Sequence, residues 1–225
     1  MGKLSERIRR LGRTETNPMG FLRTASTPAT PSLLLFLRGD TSAGTPETAD
    51  GVISTSTGAS KERSTGLRGY AGTDALTRDS GADFVVIGPS ADLSSLGDDL
   101  SLVIEIDESW PDAILRAIDQ FSPEAAYLRL NSAVTVERLL AIRRIASTAG
   151  PVLLETELAL ESDALRLLRD AGVAGLVLTK EASLKTMRER INALPPRKRK
   201  RDEHSDAVLP AASARGHDEE DDEDG

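Results

Sequence analysis

Residues 152–157 read VLLETE, and this stretch decides the fold. Successive side chains of a strand point to opposite faces, so Leu153, Glu155 and Glu157 share one face. That face starts apolar and becomes acidic toward the C-terminal end of the strand. A strand buried on both faces of an open parallel sheet is apolar throughout. The stretch therefore indicates a sheet in which one face changes from apolar to polar along the strand.

The same alternation recurs at residues 34–40 (LLFLRGD), 102–107 (LVIEID) and 126–131 (AYLRLN). A closed or nearly closed parallel sheet explains it best, because the outward residues meet helices while the inward residues become polar toward the C-terminal mouth. Amphipathic stretches with helical spacing separate most of the strand-like runs. Six runs are typical of strands: 33–38, 84–87, 102–107, 126–131, 152–157 and 176–180.

On this pattern, residues 33–194 resemble a TIM-type (βα) barrel, a superfold that has eight strands. We count six strands, or seven if residues 52–55 form a degenerate strand. The sequence thus predicts an α/β fold with a parallel βα series that forms an incomplete barrel. The alternative is an open flavodoxin-like sheet, with the same polar residues lining a crevice at the C-terminal ends of the strands.

The chain divides into three parts by composition. Residues 1–30 form an N-terminal arm with a short basic amphipathic helix, which docks on a partner, on a membrane surface or on its own domain. Residues 31–194 form a single α/β domain with a flexible insertion at 41–68, which is rich in Ser, Thr and Gly. Residues 195–225 form a disordered tail that is first basic and then acidic.

The net charge of −8 belongs mainly to the tail, since the acidic run at residues 218–224 carries seven negative charges and the rest of the chain is close to balanced. The body of the chain is nearly neutral, which argues against a general nucleic-acid binder. We expect at most weak nucleic-acid contact, through the basic run Arg197, Lys198, Arg199, Lys200 and Arg201. This run resembles a nuclear localisation signal, so we expect a cytoplasmic protein, or a nuclear one in a eukaryote.

The chain has no cysteine and two histidines, His204 and His217, both in the tail. This composition excludes disulfides, thiolate catalysis, zinc–cysteine sites and imidazole chemistry in the domain. There is no glycine-rich phosphate loop, and aromatic residues make up 3% of the chain. We therefore expect no nucleotide cofactor and no metal. No apolar run is long enough to span a bilayer.

The alternation predicts that ionisable and amide side chains lie together at the C-terminal mouth, where neighbouring carboxyl groups could act as general acids and bases. Lys180 ends a strand and resembles the Schiff-base lysine of class I aldolase barrels, where desolvation activates the amine. A second interpretation is an internal ion-pair network with Arg129 between Glu105 and Glu155. The candidate site residues are Lys180, Glu155, Glu105, Asp107, Arg129, Arg38, Asp40 and Asn131, with Glu157 and Thr179 beside them.

Two functions follow from these observations. The incomplete strand count, the missing phosphate loop and the long tails favour a non-catalytic, barrel-like interaction protein. The alternative is a small-molecule lyase or isomerase that acts at the C-terminal mouth of the strands. An incomplete barrel leaves an open edge, so we also expect a homo-oligomer, with the tails available to a protein partner.

Overall fold

A computed structural model describes residues 2–11, 31–39, 45–55, 66–72, 81–92 and 101–196. Several residues discussed above lie outside these ranges, so the predictions about them stay predictions. They are Asp40, half of the predicted insertion, the basic run 197–201, His204, His217 and the acidic run 218–224.

Eight parallel strands close into a barrel in the order of the chain, and the last strand pairs with the first. The closing pair aligns Leu35 with Leu176 and Leu37 with Leu178. The strands are β1 (Leu34–Arg38), β2 (Gly51–Ser54), β3 (Leu67–Ala71), β4 (Phe84–Ile87), β5 (Ser101–Glu105), β6 (Ala125–Leu130), β7 (Val152–Thr156) and β8 (Val173–Leu178).

The predicted count of six or seven strands in an incomplete barrel is therefore wrong, and so is the open-sheet alternative. The strand absent from both counts is β3, at the border of the segment 41–68 that we assigned to an insertion. The degenerate strand that we allowed at residues 52–55 corresponds to β2, which lies within that segment. Both strands are short, and Gly51, Arg68 and Gly69 interrupt their apolar pattern. Each pairs with a neighbour on both sides, so their structure comes from the sheet and not from local propensity. A closed barrel has no open edge, which removes our reason for expecting an oligomer.

The alternation along the strands divides the apolar side chains into two clusters. Phe36 and Phe84 meet edge to face inside the barrel, with ring centroids 5.8 Å apart. Gly69 makes room for this contact, because a Cβ atom at that position would lie 2.4 Å from the Phe84 ring. Side chains on the outward face of the strands, such as Leu35 and Leu154, belong to a second cluster that includes residues of the outer helices. The barrel interior is thus filled by side chains up to the polar mouth.

Five helices flank the barrel in the described ranges: α1 (Lys3–Arg10), α2 (Asp112–Asp119), α3 (Val136–Thr148), α4 (Ser162–Ala171) and α5 (Leu184–Asn192). Helices α2 to α4 connect successive strands from β5 to β8, as a βα series requires. Thr135 caps α3 by accepting a hydrogen bond from the Arg138 backbone N–H. Gly172 ends α4 with a φ of 118°, a left-handed conformation that favours glycine. None of the helices in these ranges is long and apolar enough to cross a membrane.

Helix α1 closes the N-terminal end of the barrel. Leu4 is fully buried in the inner cluster. The backbone N–H groups of Gly2 and Ser5 donate to the Glu124 carboxylate at 2.7 and 3.1 Å, and Lys3 forms an ion pair with Asp83 at 2.6 Å. Asp83 and Glu124 immediately precede β4 and β6, which places these contacts at the N-terminal end. The apolar face of this helix therefore packs on its own domain, one of the three options that the sequence left open.

Candidate active site

Four charged side chains at the C-terminal ends of the strands form one connected group, which we call the mouth cluster: Arg38, Glu105, Arg129 and Glu155. They come from β1, β5, β6 and β7. Each lies two residues after a side chain of the apolar cluster inside the barrel, as Arg38 follows Phe36 and Glu155 follows Leu153. The sequence alternation therefore placed these four residues together correctly.

Glu155 is the most enclosed member of the mouth cluster. Nη1 of Arg38 donates to both of its carboxylate oxygens, at 2.7 and 2.6 Å. The Tyr127 hydroxyl donates to Oε2 at 2.9 Å, and Nε of Arg129 lies 3.3 Å from the same oxygen. A carboxylate with this many donors is stable as a buried charge, since its desolvation is offset by pairing and hydrogen bonds.

Arg129 extends the cluster toward solvent. Its Nη2 lies 3.1 Å from Oε1 of Glu105, so this guanidinium bridges two carboxylates, as the ion-pair interpretation predicted. The side chains of Arg129 and Glu105 are 46% and 31% exposed, against 22% and 11% for Arg38 and Glu155. The mouth cluster thus consists of a more buried ion pair, Arg38–Glu155, and a more accessible ion pair, Arg129–Glu105.

Tyr127 was absent from the candidate residues of the sequence analysis, which missed its place in the site. It lies on the same inward face as Arg129, two residues earlier on β6, and this spacing was the available signal. Burial, followed by the nearby Glu155 carboxylate, raises the pKa of the Tyr127 hydroxyl far above its ordinary value. Burial alone would lower the pKa of Arg38, but the neighbouring Tyr127 and Glu155 outweigh it and the pKa is raised. Both groups therefore keep their protons as donors to Glu155.

The raised pKa of Tyr127 predicts a loss of stability at alkaline pH. Tyrosine in the unfolded chain ionises near pH ~10, whereas the folded protein holds the proton, so the folded state binds more protons above that pH. The free energy of unfolding should fall by up to about 1.4 kcal/mol per pH unit above pH ~10. Urea denaturation of wild type and Tyr127→Phe from pH ~8 to ~11 measures this, because the phenylalanine variant lacks the titrating group. Parallel pH profiles for the two proteins would contradict it.

The remaining candidates lie outside the cluster. Lys180 contacts Glu157 at 3.8 Å, and their side chains are 67% and 66% exposed. The desolvation that activates a Schiff-base lysine is therefore absent. Asp107 accepts hydrogen bonds from the hydroxyl and backbone N–H of Ser109, which lower its pKa, and it belongs to the loop after β5. Asn131 is exposed.

Thr179 follows β8 and lies two residues after Val177, whose side chain belongs to the cluster inside the barrel. Its hydroxyl is buried and has no hydrogen-bond partner in the described part of the chain. The same part contains no group of three His, Cys, Asp or Glu side chains arranged to hold a metal ion. The expectation of a site without cofactor or metal remains a prediction.

Comparison with known proteins places this geometry in a known fold. No protein-family model and no curated protein matches the chain. KGPDC from Streptococcus mutans superimposes with a TM-score of 0.54 at 10% identity, covering 71% of this chain and 97% of that one. Orotidine 5'-phosphate decarboxylase from Pyrococcus horikoshii OT3 gives 0.53 at 11% identity, with coverages of 72% and 100%. A mutant tryptophan synthase alpha-subunit from Pyrococcus furiosus gives 0.52 at 11% identity, with coverages of 72% and 97%.

The chain is a TIM-type barrel. The resemblance inferred from the alternating strands is thereby confirmed, with the full number of strands. At such low identity the likeness establishes the fold of this barrel and assigns no role to its residues.

The prediction of a non-catalytic interaction protein is contradicted by these findings. One of its three reasons was an incomplete strand count, and the barrel is complete. The compared barrels include a decarboxylase and a synthase subunit, which are enzymes. The findings agree better with the alternative that we kept, a small-molecule enzyme acting at the C-terminal mouth.

Proposed function

We propose that this TIM-type barrel is a small-molecule lyase or isomerase whose reaction takes place at the mouth cluster. The observation that carries the proposal is the accessible Arg129–Glu105 pair, held above the buried Arg38–Glu155 pair. Active sites of such barrels lie at the C-terminal ends of the strands, where these four residues are. The two ion pairs differ in exposure, which supports a division of roles between them.

Glu105 is the proton acceptor in this proposal. Its carboxylate is partly exposed and contacts Arg129, so it can reach a bound molecule without leaving its position. It removes a proton from a carbon atom next to a carbonyl group of the substrate. The electron pair of the broken C–H bond moves into the carbonyl and produces an enolate oxygen.

Arg129 stabilises that oxygen. Its guanidinium contacts Glu155 through Nε and Glu105 through Nη2, which leaves further N–H donors of its five for a substrate oxygen. Charge-assisted donors that are already oriented stabilise a developing anion at little reorganisation cost. Arg38 and Tyr127 act as positioning residues, because they hold Glu155 and so fix the guanidinium of Arg129.

The enolate then determines the reaction class. In a 2-hydroxy carbonyl compound, the hydroxyl proton moves to the enolate oxygen, the proton returns to the former carbonyl carbon and a new carbonyl forms at the other carbon, which is an isomerase reaction. In a lyase reaction, the carbonyl re-forms, a C=C bond appears between the α and β carbons, and the group on the β carbon departs with the electron pair of its bond and takes up a proton. The isomerase and lyase reactions share the first proton transfer. The proposed substrate is a small hydroxy-carbonyl or oxo-acid compound. Either reaction exchanges a substrate carbon-bound proton with solvent.

Proton exchange with solvent tests this function. The protein is incubated in D2O with a panel of small hydroxy-aldehydes, hydroxy-ketones and 2-oxo acids, and deuterium incorporation is followed by mass spectrometry. We expect exchange of at least one compound, and a decrease of about 100-fold in Glu105→Gln, since general base catalysis contributes on that order. The matched control is Glu137→Gln on the exposed surface of α3. Exchange that persists in Glu105→Gln, or its absence with the whole panel, would contradict the proposed step.

A further inference from the structure

A polar pocket lies at the opposite end of the barrel from the mouth cluster. It is open to solvent, has a volume of about 320 Å³ and is lined by α1 and by the residues that begin β3 and precede β4. Its charged lining consists of Lys3, Glu6, Arg7, Arg10 and Asp83. A cavity of this size falls at the lower end of the range for small-molecule sites.

The charges that line this cavity do not balance. Asp83 accepts from Lys3 at 2.6 Å and, through its other oxygen, from the Arg68 backbone N–H at 2.9 Å. Glu6 is paired with Arg10 one turn along α1. The side chain of Arg7 forms no ion pair or hydrogen bond within the described residues. The lining of this pocket therefore has three cations against two occupied carboxylates, and the exposed guanidinium of Arg7 has no partner in the part of the chain that the structure describes.

We propose that this cavity binds a phosphate group, either free or carried on a small molecule. Lys3, Arg7 and Arg10 are spaced four and three residues apart on α1, which places their side chains on one face of the helix. A lysine ammonium and two guanidiniums offer more N–H donors than Asp83 and Glu6 accept, so donors remain for the phosphate oxygens. Leu67, which is buried, forms an apolar wall of the same cavity.

This site is coupled to the position of α1. The three cations belong to the helix, whereas Leu67 and Asp83 belong to the barrel, so the complete site exists only when α1 is docked. A ligand that binds the docked form alone stabilises that form by mass action. Phosphate should therefore hold α1 against the N-terminal end of the barrel. This inference does not depend on the proposed function, since it uses none of the residues of the mouth cluster.

Calorimetric titration of the full chain tests the site. The probes are inorganic phosphate and glycerol 3-phosphate, with sodium chloride used to keep the ionic strength constant. We expect saturable binding to the wild type and an affinity lower by about tenfold or more in Arg7→Gln, which removes the unpaired charge. Arg116→Gln is the matched control, since Arg116 is exposed on α2, outside the cavity. Tighter binding of glycerol 3-phosphate would identify a phosphate ester as the ligand, and tighter binding of inorganic phosphate would identify free phosphate.

Hydrogen exchange provides an independent measurement. Phosphate should slow the exchange of the amides of α1 in the wild type and in Arg116→Gln, but not in Arg7→Gln. The side chain of Arg7 is exposed and forms no ion pair or hydrogen bond with the described residues, so we expect its substitution to leave the fold intact. The inference is overturned if Arg7→Gln binds phosphate as tightly as the wild type, if binding does not saturate, or if α1 exchange is unchanged by phosphate.

Discussion

Replacing Arg38 by leucine is expected to lower the free energy of unfolding by about 3 kcal/mol at neutral pH. Arg38 donates to both oxygens of Glu155, and the two side chains are 22% and 11% exposed. The substitution removes the donor that binds this buried carboxylate most closely. What remains near Glu155 is the Tyr127 hydroxyl and the more distant Arg129, which compensate the charge only in part.

The matched comparison is Arg129→Leu, which makes the same chemical change next to the same carboxylate. Arg129 is 46% exposed, so solvent screens its interactions and we expect a loss of about 1 kcal/mol or less. Urea denaturation of both variants at one pH measures the difference. A double variant, Arg38→Leu with Glu155→Gln, should regain part of the loss because it carries no uncompensated charge. Equal losses for the two single variants would refute the assignment of Arg38 as the buried partner.

Replacing Leu4 by alanine is expected to cost about 2–5 kcal/mol of unfolding free energy. Leu4 is fully buried in the inner cluster, although it comes from a helix near the start of the chain. The shorter side chain leaves a cavity at the N-terminal end of the barrel, and the surrounding strands can relax only partly to fill it. Thermal and chemical denaturation of the full chain measure this loss.

Leu140→Ala is the control for Leu4→Ala, because it makes the same substitution on α3 at a side chain that is 65% exposed. Its effect should lie within about 0.5 kcal/mol of the wild type. If Leu4→Ala were equally mild, α1 would not contribute to the core, and the N-terminal end of the barrel would be closed by other residues.

Much of the mouth cluster could be predicted from sequence because side-chain alternation along a strand is a local property. It identified Arg38, Glu105, Arg129 and Glu155 as inward residues at the same end of the sheet. Asp107 and Lys180 are not part of this cluster, because they lie beyond the last residues of β5 and β8. Once a strand ends, alternation no longer applies, and their side chains follow the loops instead.

The strand count could not be obtained in the same way. β2 and β3 have four and five residues, and glycine occurs in both. Such segments carry little strand signal of their own and form because hydrogen-bonding strands lie on both sides. The error then affected function, since a barrel counted as incomplete favoured a non-catalytic protein.

The sequence by itself determined the parallel βα character of this protein, the inward face of its longer strands and the residue types at the mouth. These are consequences of side-chain periodicity, which is set by covalent geometry over a few residues. Only the tertiary structure decided that β8 pairs with β1, that α1 closes the N-terminal end, and that Arg38 is buried more deeply than Arg129. Each of these depends on contacts between distant parts of the chain. Arg38 and Glu155 are 117 residues apart, and their contact exists only because the barrel closes.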